Sequence, residues 1–205
     1  MKNISFISPF CDLLKTYTST SILDRASKKG IVNYSYLDLF SFSDDSHNRI
    51  DDYPYGGGEG MILKAQPIIS AYESIAKDNF EPRVIYPTPD GEKLSLDLSL
   101  DLSKENDIIF ICGHYKGIDE RLREKYITKE ISIGDYVLSG GELAAAVLSD
   151  SIIRLIPGVL NDETSALTDS FQDDLLAPPV YTRPAEYDGM KVPEVLLSGN
   201  FKKIE

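Results

Sequence analysis

Apolar and polar positions along this chain fall into short runs that predict an alternating order of strands and helices. β-Branched, apolar runs typical of strands occur at residues 3–8, 33–39, 83–86, 107–112 and 131–137. Segments with helical spacing and recognisable end signals lie between or after them, at residues 20–29, 68–77 and 142–155. Because strands and helices alternate, the pattern predicts an α/β fold, a mostly parallel sheet with helices on both faces.

The segment at residues 93–103, KLSLDLSLDLS, gives two conflicting signals. Strict alternation of leucine with polar residues is typical of a strand. Parallel strands at 83–86 and 107–112, however, need a crossover between them, which is usually a helix. Leu94, Leu98 and Leu102 would also share one helical face. We therefore predict a short helix here.

Composition is typical of a soluble globular protein, with 205 residues, 42% hydrophobic and 26% charged. No apolar stretch approaches the ~20 residues of a membrane span, and the N-terminus lacks the apolar core of a signal peptide. Cys11 and Cys112 are therefore predicted to be free thiols in a reducing cytoplasm. The cysteines and histidines do not complete a zinc-binding spacing, so we expect no metal ligands among them.

Charge is unevenly distributed. A net charge of −12 by itself argues against a nucleic-acid partner, but basic residues cluster between Lys116 and Lys129, and a local patch can still bind an anion. Residues 161–176 contain five acids and no base, which predicts an acidic flexible linker. Residues 177–205 are predicted to form a small, mostly helical C-terminal segment that begins with a proline-rich arm.

Three loops marked by glycine or proline each follow a predicted strand, at residues 87–91, 113–117 and 138–141. In parallel α/β sheets, ligands bind beyond the carboxyl ends of the strands, and glycine lets a ligand approach the backbone. Ordinary turns are the competing interpretation for each loop. The phosphate-binding glycine motifs are absent, so the exposed backbone groups of these loops suit a planar base better than a triphosphate.

Seven motifs in order carry a family resemblance: DDYPYGGGEGM (51–61), CGHYKGIDER (112–121), EISIGDYVLSGGEL (130–143), RLIPGVL (154–160), DSF (169–171), YTRP (181–184) and VPEVLLSGN (192–200). Together they resemble the bacterial tRNA (guanine-N1-)-methyltransferase family over nearly the whole chain. The resemblance implies a SPOUT methyltransferase domain at residues 1–160 with a C-terminal trefoil knot. It also implies a homodimer with its active site at the subunit interface, and methyl transfer from S-adenosylmethionine to N1 of guanine 37 in tRNA that carries G36-G37.

The resemblance also implies roles for individual residues. The donor would be bound by Tyr86, Pro87, Thr88, Pro89, Gly113, Tyr115, Lys116, Ile133, Gly134, Asp135, Tyr136, Val137, Leu138, Gly140 and Gly141. The tRNA would be contacted by His47, Gly57, Gly58 and Arg154. Asp169 would be the general base for the N1 proton, and Arg154 would also stabilise charge at O6 of guanine. From sequence alone, Asp169 equally suits a helix N-cap, and Arg154 suits a basic residue at a helix C-terminus.

Departures from the family pattern leave some points open. The usual C-G-R-Y-E-G is here Cys112-Gly113-His114-Tyr115-Lys116-Gly117, and Ala177 stands where an acid is common. Both Lys116 and Ala177 remove negative charge, which argues against a bound Mg²⁺. Residues 177–205 resemble the start of a C-terminal tRNA-binding domain, and the chain is interpreted as truncated there. Two alternatives remain: a non-catalytic SPOUT protein that binds S-adenosylmethionine or RNA, and a SPOUT methyltransferase with another RNA target.

Overall fold

The computed structural model describes residues 1–76, 80–160, 178–200 and 203. The chain forms two compact units, Met1–Ala166 and Leu167–Glu205. The larger unit contains the predicted sheet and the loops that follow its strands. The acidic segment at 161–176, with Asp169, lies outside the described residues, as does Ala177, so the linker stays a prediction.

A five-stranded parallel sheet forms the centre of the larger unit, in the order β2-β1-β6-β5-β7. Its strands are β1 (Lys2–Ser8), β2 (Val32–Asp38), β5 (Arg83–Lys93), β6 (Asp107–Ile111) and β7 (Lys129–Ser132). A separate antiparallel pair is formed by β3 (Asp51–Asp52) and β4 (Ile62–Leu63). The middle strands β1 and β6 are almost entirely buried, as expected where both faces of a sheet are covered.

Helices cover both faces of the sheet. They are α1 (Cys11–Thr18), α2 (Ser21–Lys28), α3 (Ala65–Ile75), α4 (Leu96–Lys104), α5 (Glu120–Tyr126) and α6 (Glu142–Ile153), with a 3-10 helix at Leu39–Phe42. On one face α1, α2, α4 and α6 pack around Phe6 and Phe110. On the other face α3, α5 and the 3-10 helix pack around Ile7 and Ile111. The predicted α/β architecture is confirmed.

The ambiguous leucine segment is a helix, as predicted. Ser95 begins α4 by accepting a hydrogen bond from the backbone N–H of Leu98 at 3.2 Å, which satisfies one of the donors that a helix start leaves unpaired. Leu102 is buried, and Leu94 and Leu98 pack against the same core cluster. The need for a crossover between the neighbouring parallel strands β5 and β6 overrides the strand-like alternation.

The predicted strand at 131–137 is wrong in its extent. The strand β7 ends at Ser132, whose carbonyl still accepts from Leu94 N–H at 2.8 Å, and residues 133–138 leave the sheet. Gly134, with φ +152°, turns the chain away. Strand β5 is longer than predicted, because it continues through an irregularity between Pro87 and Glu92. The short helices α1 and α5 were not predicted, since seven or eight residues give little periodicity.

The described part of the smaller unit differs from the mostly helical segment predicted for it. Strands β8 (Glu186–Tyr187) and β9 (Met190–Lys191) form a hairpin, followed by the four-residue helix α7 (Glu194–Leu197). Asp188 and Gly189 make the turn with φ of +51° and +75°. Asp-Gly is a strong hairpin signal, so this feature was readable from sequence.

Candidate functional site

A cavity of about 540 Å³ opens at the carboxyl ends of β6 and β7, beside the irregular stretch of β5 between Pro87 and Glu92. Its position matches the place where parallel α/β sheets bind ligands. All residues assigned to a donor site from the sequence line it except Asp135, namely Tyr86, Pro87, Thr88, Pro89, Gly113, Tyr115, Lys116, Ile133, Gly134, Tyr136, Val137, Leu138, Gly140 and Gly141. The structure therefore brings together three loops that are far apart in sequence.

Tyr86 forms a fixed part of the cavity wall. Its ring is buried, and the guanidinium of Arg123 lies 5.6 Å from the ring centroid. Arg123 also donates to both carboxylate oxygens of Glu130, at 2.7 and 2.8 Å. These hydrogen bonds lower the pKa of Glu130, and burial raises the pKa of Tyr86. A bidentate pair stacked on an aromatic ring restricts all three side chains.

Glycines close one corner of the cavity. The N–H of Gly141 donates to the carbonyl of Gly113 at 2.8 Å. A Cβ on Gly141 would lie 3.0 Å from the backbone of Cys112, and one on Gly113 would lie 2.9 Å from the Tyr86 ring. A larger residue at Gly113 or Gly141 would force the loops at 113–117 and 138–141 out of their positions. We call Gly113, Gly140 and Gly141 the glycine corner.

Residues 133–138 form the opposite wall with their backbone. In the part of the chain that the structure describes, the N–H groups of Ile133, Val137 and Leu138 donate to no other residue. Tyr136 folds back so that its hydroxyl donates to the carbonyl of Ile133 at 3.2 Å. This wall offers unused main-chain donors beside apolar side chains, an arrangement that suits a flat heterocycle with acceptor nitrogens.

The charged residues that line the cavity are Asp90, Lys116 and Arg123. Arg123 is neutralised by Glu130, whereas the Lys116 ammonium has no ion-pair partner among the described residues. Asp135 does not line the cavity. Its carboxylate instead accepts from Lys93 at 2.8 Å on the exposed surface.

The predicted tRNA-contacting residues lie outside this cavity. His47 is exposed beside the hydroxyl of Ser46, 3.0 Å away. Gly57 and Gly58 are exposed in a loop with φ of +78° and +111°. Arg154 follows the last residue of α6, whose first residue lies next to the glycine corner. Twelve helical residues separate the two ends by roughly 18 Å.

Several cavity residues were missed from sequence. They are Asp90, His114, Gly117, Ile118, Arg123, Ile131, Ser132, Ser139 and Ala144. Asp90, His114, Gly117 and Ser139 belong to the three loops that the sequence marked, so these four could have been predicted. Arg123 was noted only as part of the basic cluster between Lys116 and Lys129. Its place in the cavity was missed because α5 was not predicted and its partner Glu130 lies in β7.

Comparison with known proteins identifies the family. Residues 1–205 match the family described as tRNA (Guanine-1)-methyltransferase TrmD. The chain belongs to this family. A tRNA (guanine-N(1)-)-methyltransferase of Christiangramia forsetii is 55% identical over 98% of this chain and 89% of its own length. A tRNA (guanine-N(1)-)-methyltransferase of Bacteroides fragilis is 50% identical over 98% of this chain and 90% of its own length.

A solved structure supports the same assignment. The crystal structure of tRNA (m1G37) methyltransferase from Aquifex aeolicus is 41% identical, with a TM-score of 0.83 over 99% of this chain and 85% of that one. The resemblance seen in the motifs is thereby confirmed, and with it the enzyme class of a tRNA guanine-N1 methyltransferase. The trefoil knot and the roles of individual residues remain predictions.

The described residues contain no group of three or more His, Cys, Asp or Glu side chains that could hold a metal ion. None of the helices in the same ranges is long and apolar enough to cross a membrane.

Proposed function

We propose that this chain transfers a methyl group from S-adenosylmethionine to N1 of guanine 37 in tRNA, in the G36-G37 context. The observation that carries the proposal is the cavity at the ends of β6 and β7 and the irregular stretch of β5, in a chain of the tRNA (Guanine-1)-methyltransferase family. When bound, the donor supplies an electrophilic methyl group on a positively charged sulfur. The protein's part is to bind, orient and deprotonate.

The cavity fits such a donor. The unused N–H groups of Ile133, Val137 and Leu138 can donate to the ring nitrogens of adenine, and Tyr86 to Pro89 form the facing wall. The glycine corner leaves open the space that Cβ atoms would fill, so a folded methionine chain can lie against the backbone. Because these groups are already in place, little ordering is needed on binding.

The acceptor needs different groups. Guanine N1 carries a proton at neutral pH, and its loss moves negative charge to O6. We propose Asp169 as the base for that proton and Arg154 as the cation near O6. A positioned base contributes about 10²–10⁴-fold to a rate, and alignment of donor and acceptor contributes further.

A second copy of the chain would complete the site. Arg154 stands roughly 18 Å along α6 from the donor cavity, so one chain does not place it beside the methyl group. Phe10 and Leu13 by α1, and Leu143 and Val147 on α6, are exposed apolar side chains on two helices in contact. Such surfaces mark interaction sites. We propose a homodimer in which one subunit's cavity receives Arg154 and Asp169 from the other.

Mixed dimers test this arrangement. A chain with Gly141→Val loses the cavity, and a chain with Arg154→Ala loses the cation, so each homodimer should be inactive. Co-expression should restore a fraction of methyl transfer, because one of the two sites in a mixed dimer has both parts intact. Failure of complementation, with mixed dimers present by mass spectrometry, would refute the shared site.

We also propose that the chain acts in the cytoplasm and that its fold carries the family's trefoil knot. Lys116 adds positive charge to the cavity, and we propose that it disfavours Mg²⁺ there. The metal point is tested by methyl transfer in the presence of a chelator. Activity should persist. Loss that Mg²⁺ restores would contradict it.

The decisive assay measures methyl transfer to tRNA transcripts. A transcript with G36-G37 should gain one methyl group, which mass spectrometry locates on N1 of guanine 37. A transcript with adenine at position 37 should gain none. Donor binding without any methyl transfer would favour the non-catalytic alternative, and methylation elsewhere in the RNA would favour another target.

A further inference from the structure

Glu142 is a buried carboxylate directly behind the glycine corner. It is the first residue of α6 and only 5% exposed, although glutamate is almost never buried without a partner. Within the described ranges no Lys, Arg or His forms an ion pair with it. It does not line the cavity, and the reaction proposed above does not use it.

A buried hydroxyl holds the Glu142 carboxylate in place. The hydroxyl of Ser8, itself fully buried, donates to Glu142 Oε1 at 2.8 Å. Ser8 is held in turn by the N–H of Phe10, which donates to Ser8 Oγ at 2.9 Å. The start of a helix also favours an anion.

Only a glycine separates this carboxylate from the cavity lining. Glu142 Oε2 lies 2.4 Å from the position that a Cβ on Gly140 would occupy, and His114 Nε2 lies 2.8 Å from the same position. Gly140 and His114 both line the cavity. The side-chain oxygen therefore stands immediately behind the wall against which the donor's methionine chain is proposed to lie.

The charge also acts on its neighbours. Burial raises the pKa of the Cys112 thiol, and the Glu142 carboxylate raises it further. Cys112 precedes Gly113 of the same corner. In a partly buried environment, charge–charge interactions extend over several ångströms with little screening. A positive group held at the glycine corner would be attracted by the same Glu142 carboxylate.

We propose that Glu142 makes the cavity prefer the charged methyl donor over its neutral product, an inference that rests on the proposed function. In the transfer, the sulfur–methyl bond breaks and its electron pair stays on sulfur, while the methyl group bonds to N1. The N1 proton goes to the base. The sulfonium thus becomes a neutral thioether. A fixed buried anion stabilises the sulfonium of the donor and not the thioether of the product. It therefore favours the exchange of product for fresh donor.

Calorimetric titration with three probes tests the charge preference. They are S-adenosylmethionine, S-adenosylhomocysteine with its neutral sulfur, and sinefungin, in which a protonated amine replaces the sulfonium. In Glu142→Gln, which keeps the size and the acceptor for Ser8, we expect affinity for both cations to fall about tenfold. Affinity for S-adenosylhomocysteine should change less than about twofold. Glu124 is an exposed acid on α5, so Glu124→Gln is the matched control. It should leave the affinity for all three probes unchanged.

The outcomes separate the two claims. If the wild-type chain binds none of the probes, the proposed donor is wrong. If all three bind the wild type and Glu142→Gln weakens all three equally, Glu142 is only structural and the inference is overturned. Should Glu142→Gln fail to fold, Ser8→Ala decides: loss of the hydroxyl should reduce the preference for the cations a few-fold, and an unchanged preference would refute the role.

Discussion

Two glycine-rich regions of this molecule use glycine for opposite reasons. In the glycine corner, and at Gly91 in β5, a Cβ would meet other atoms at 2.4 to 3.0 Å. In the loop YPYGGGEG, Gly56, Gly57 and Gly58 have open space around them, but φ lies between +78° and +111°. The first set is required by close packing and the second by backbone conformation.

This contrast sets what each region can do. Around the cavity, close contacts fix the shape of the binding surface before a ligand arrives. In the YPYGGGEG loop, Gly60 lies against the side chain of Lys116, but Gly56 to Gly58 meet no atom within 4 Å. The rings of Tyr53 and Tyr55 are exposed to solvent, at 77% and 101%. Exposed aromatic rings on a loop are suited to stacking on bases. We therefore expect substitutions near the cavity to cost stability and donor affinity, and substitutions in the loop to affect mainly the reaction with tRNA.

The largest effect on stability is expected for Gly91→Ala. A Cβ there would lie 2.4 Å from the backbone nitrogen of Ile131 and 2.5 Å from the backbone carbon of Glu130. Backbone atoms of a paired strand cannot move aside, so β5 and β7 would be forced apart. We expect the free energy of unfolding to fall by about 2–4 kcal/mol, measured by urea denaturation. A loss below about 0.5 kcal/mol would show that the packing is looser than described.

Glu130→Gln should have the next largest effect, through the ion pair that holds Arg123 against Tyr86. We expect the free energy of unfolding to fall by about 1–2 kcal/mol at neutral pH, measured by urea denaturation. Because the folded-state pKa of Glu130 is lowered from 4.5, the stabilisation is complete above 4.5 and is lost as pH falls through the folded-state value. The difference between wild type and variant should therefore vanish in acid. A difference independent of pH would mean that the carboxylate charge is not the cause.

Gly57→Ala tests the loop side of the comparison. No atom lies within 4 Å of the added Cβ, but φ of +78° is unfavourable for alanine. We expect a stability loss of about 1 kcal/mol and unchanged donor affinity by calorimetry. A larger loss, or weaker donor binding, would mean that the loop packs on the cavity.

Lys93→Ala should have the smallest effect. The Lys93–Asp135 pair lies beside the cavity, but its side chains are 69% and 79% exposed. Exposed pairs contribute about 0–1 kcal/mol and are screened by salt. We expect a change below about 0.5 kcal/mol and no loss of donor affinity. A larger change would show that the exposed pair, and not close packing, holds residues 133–138.

Local patterns predicted much of this fold. Buried parallel strands need apolar runs, so β1 and β6 were predictable. Glycine and proline marked the loops after β6 and β7 and the irregular stretch within β5. The end of β7 at Ser132 was missed, although strands disfavour the Gly134-Asp135 pair that follows. The Arg123–Glu130 pair depends on how α5 and β7 meet. The buried state of Glu142 likewise depends on Ser8, which is 134 residues away in sequence.

The most direct test is a pair of valine substitutions, Gly141→Val in the corner and Gly58→Val in the loop, with thermal unfolding as a control for folding. Titration with S-adenosylmethionine should show affinity lowered more than about 100-fold in Gly141→Val and changed less than about twofold in Gly58→Val. Both variants should lose methyl transfer to tRNA. If a folded Gly141→Val binds the donor normally, or Gly58→Val loses donor binding to the same degree, the assignment of the cavity to the donor and of the loop to tRNA is contradicted.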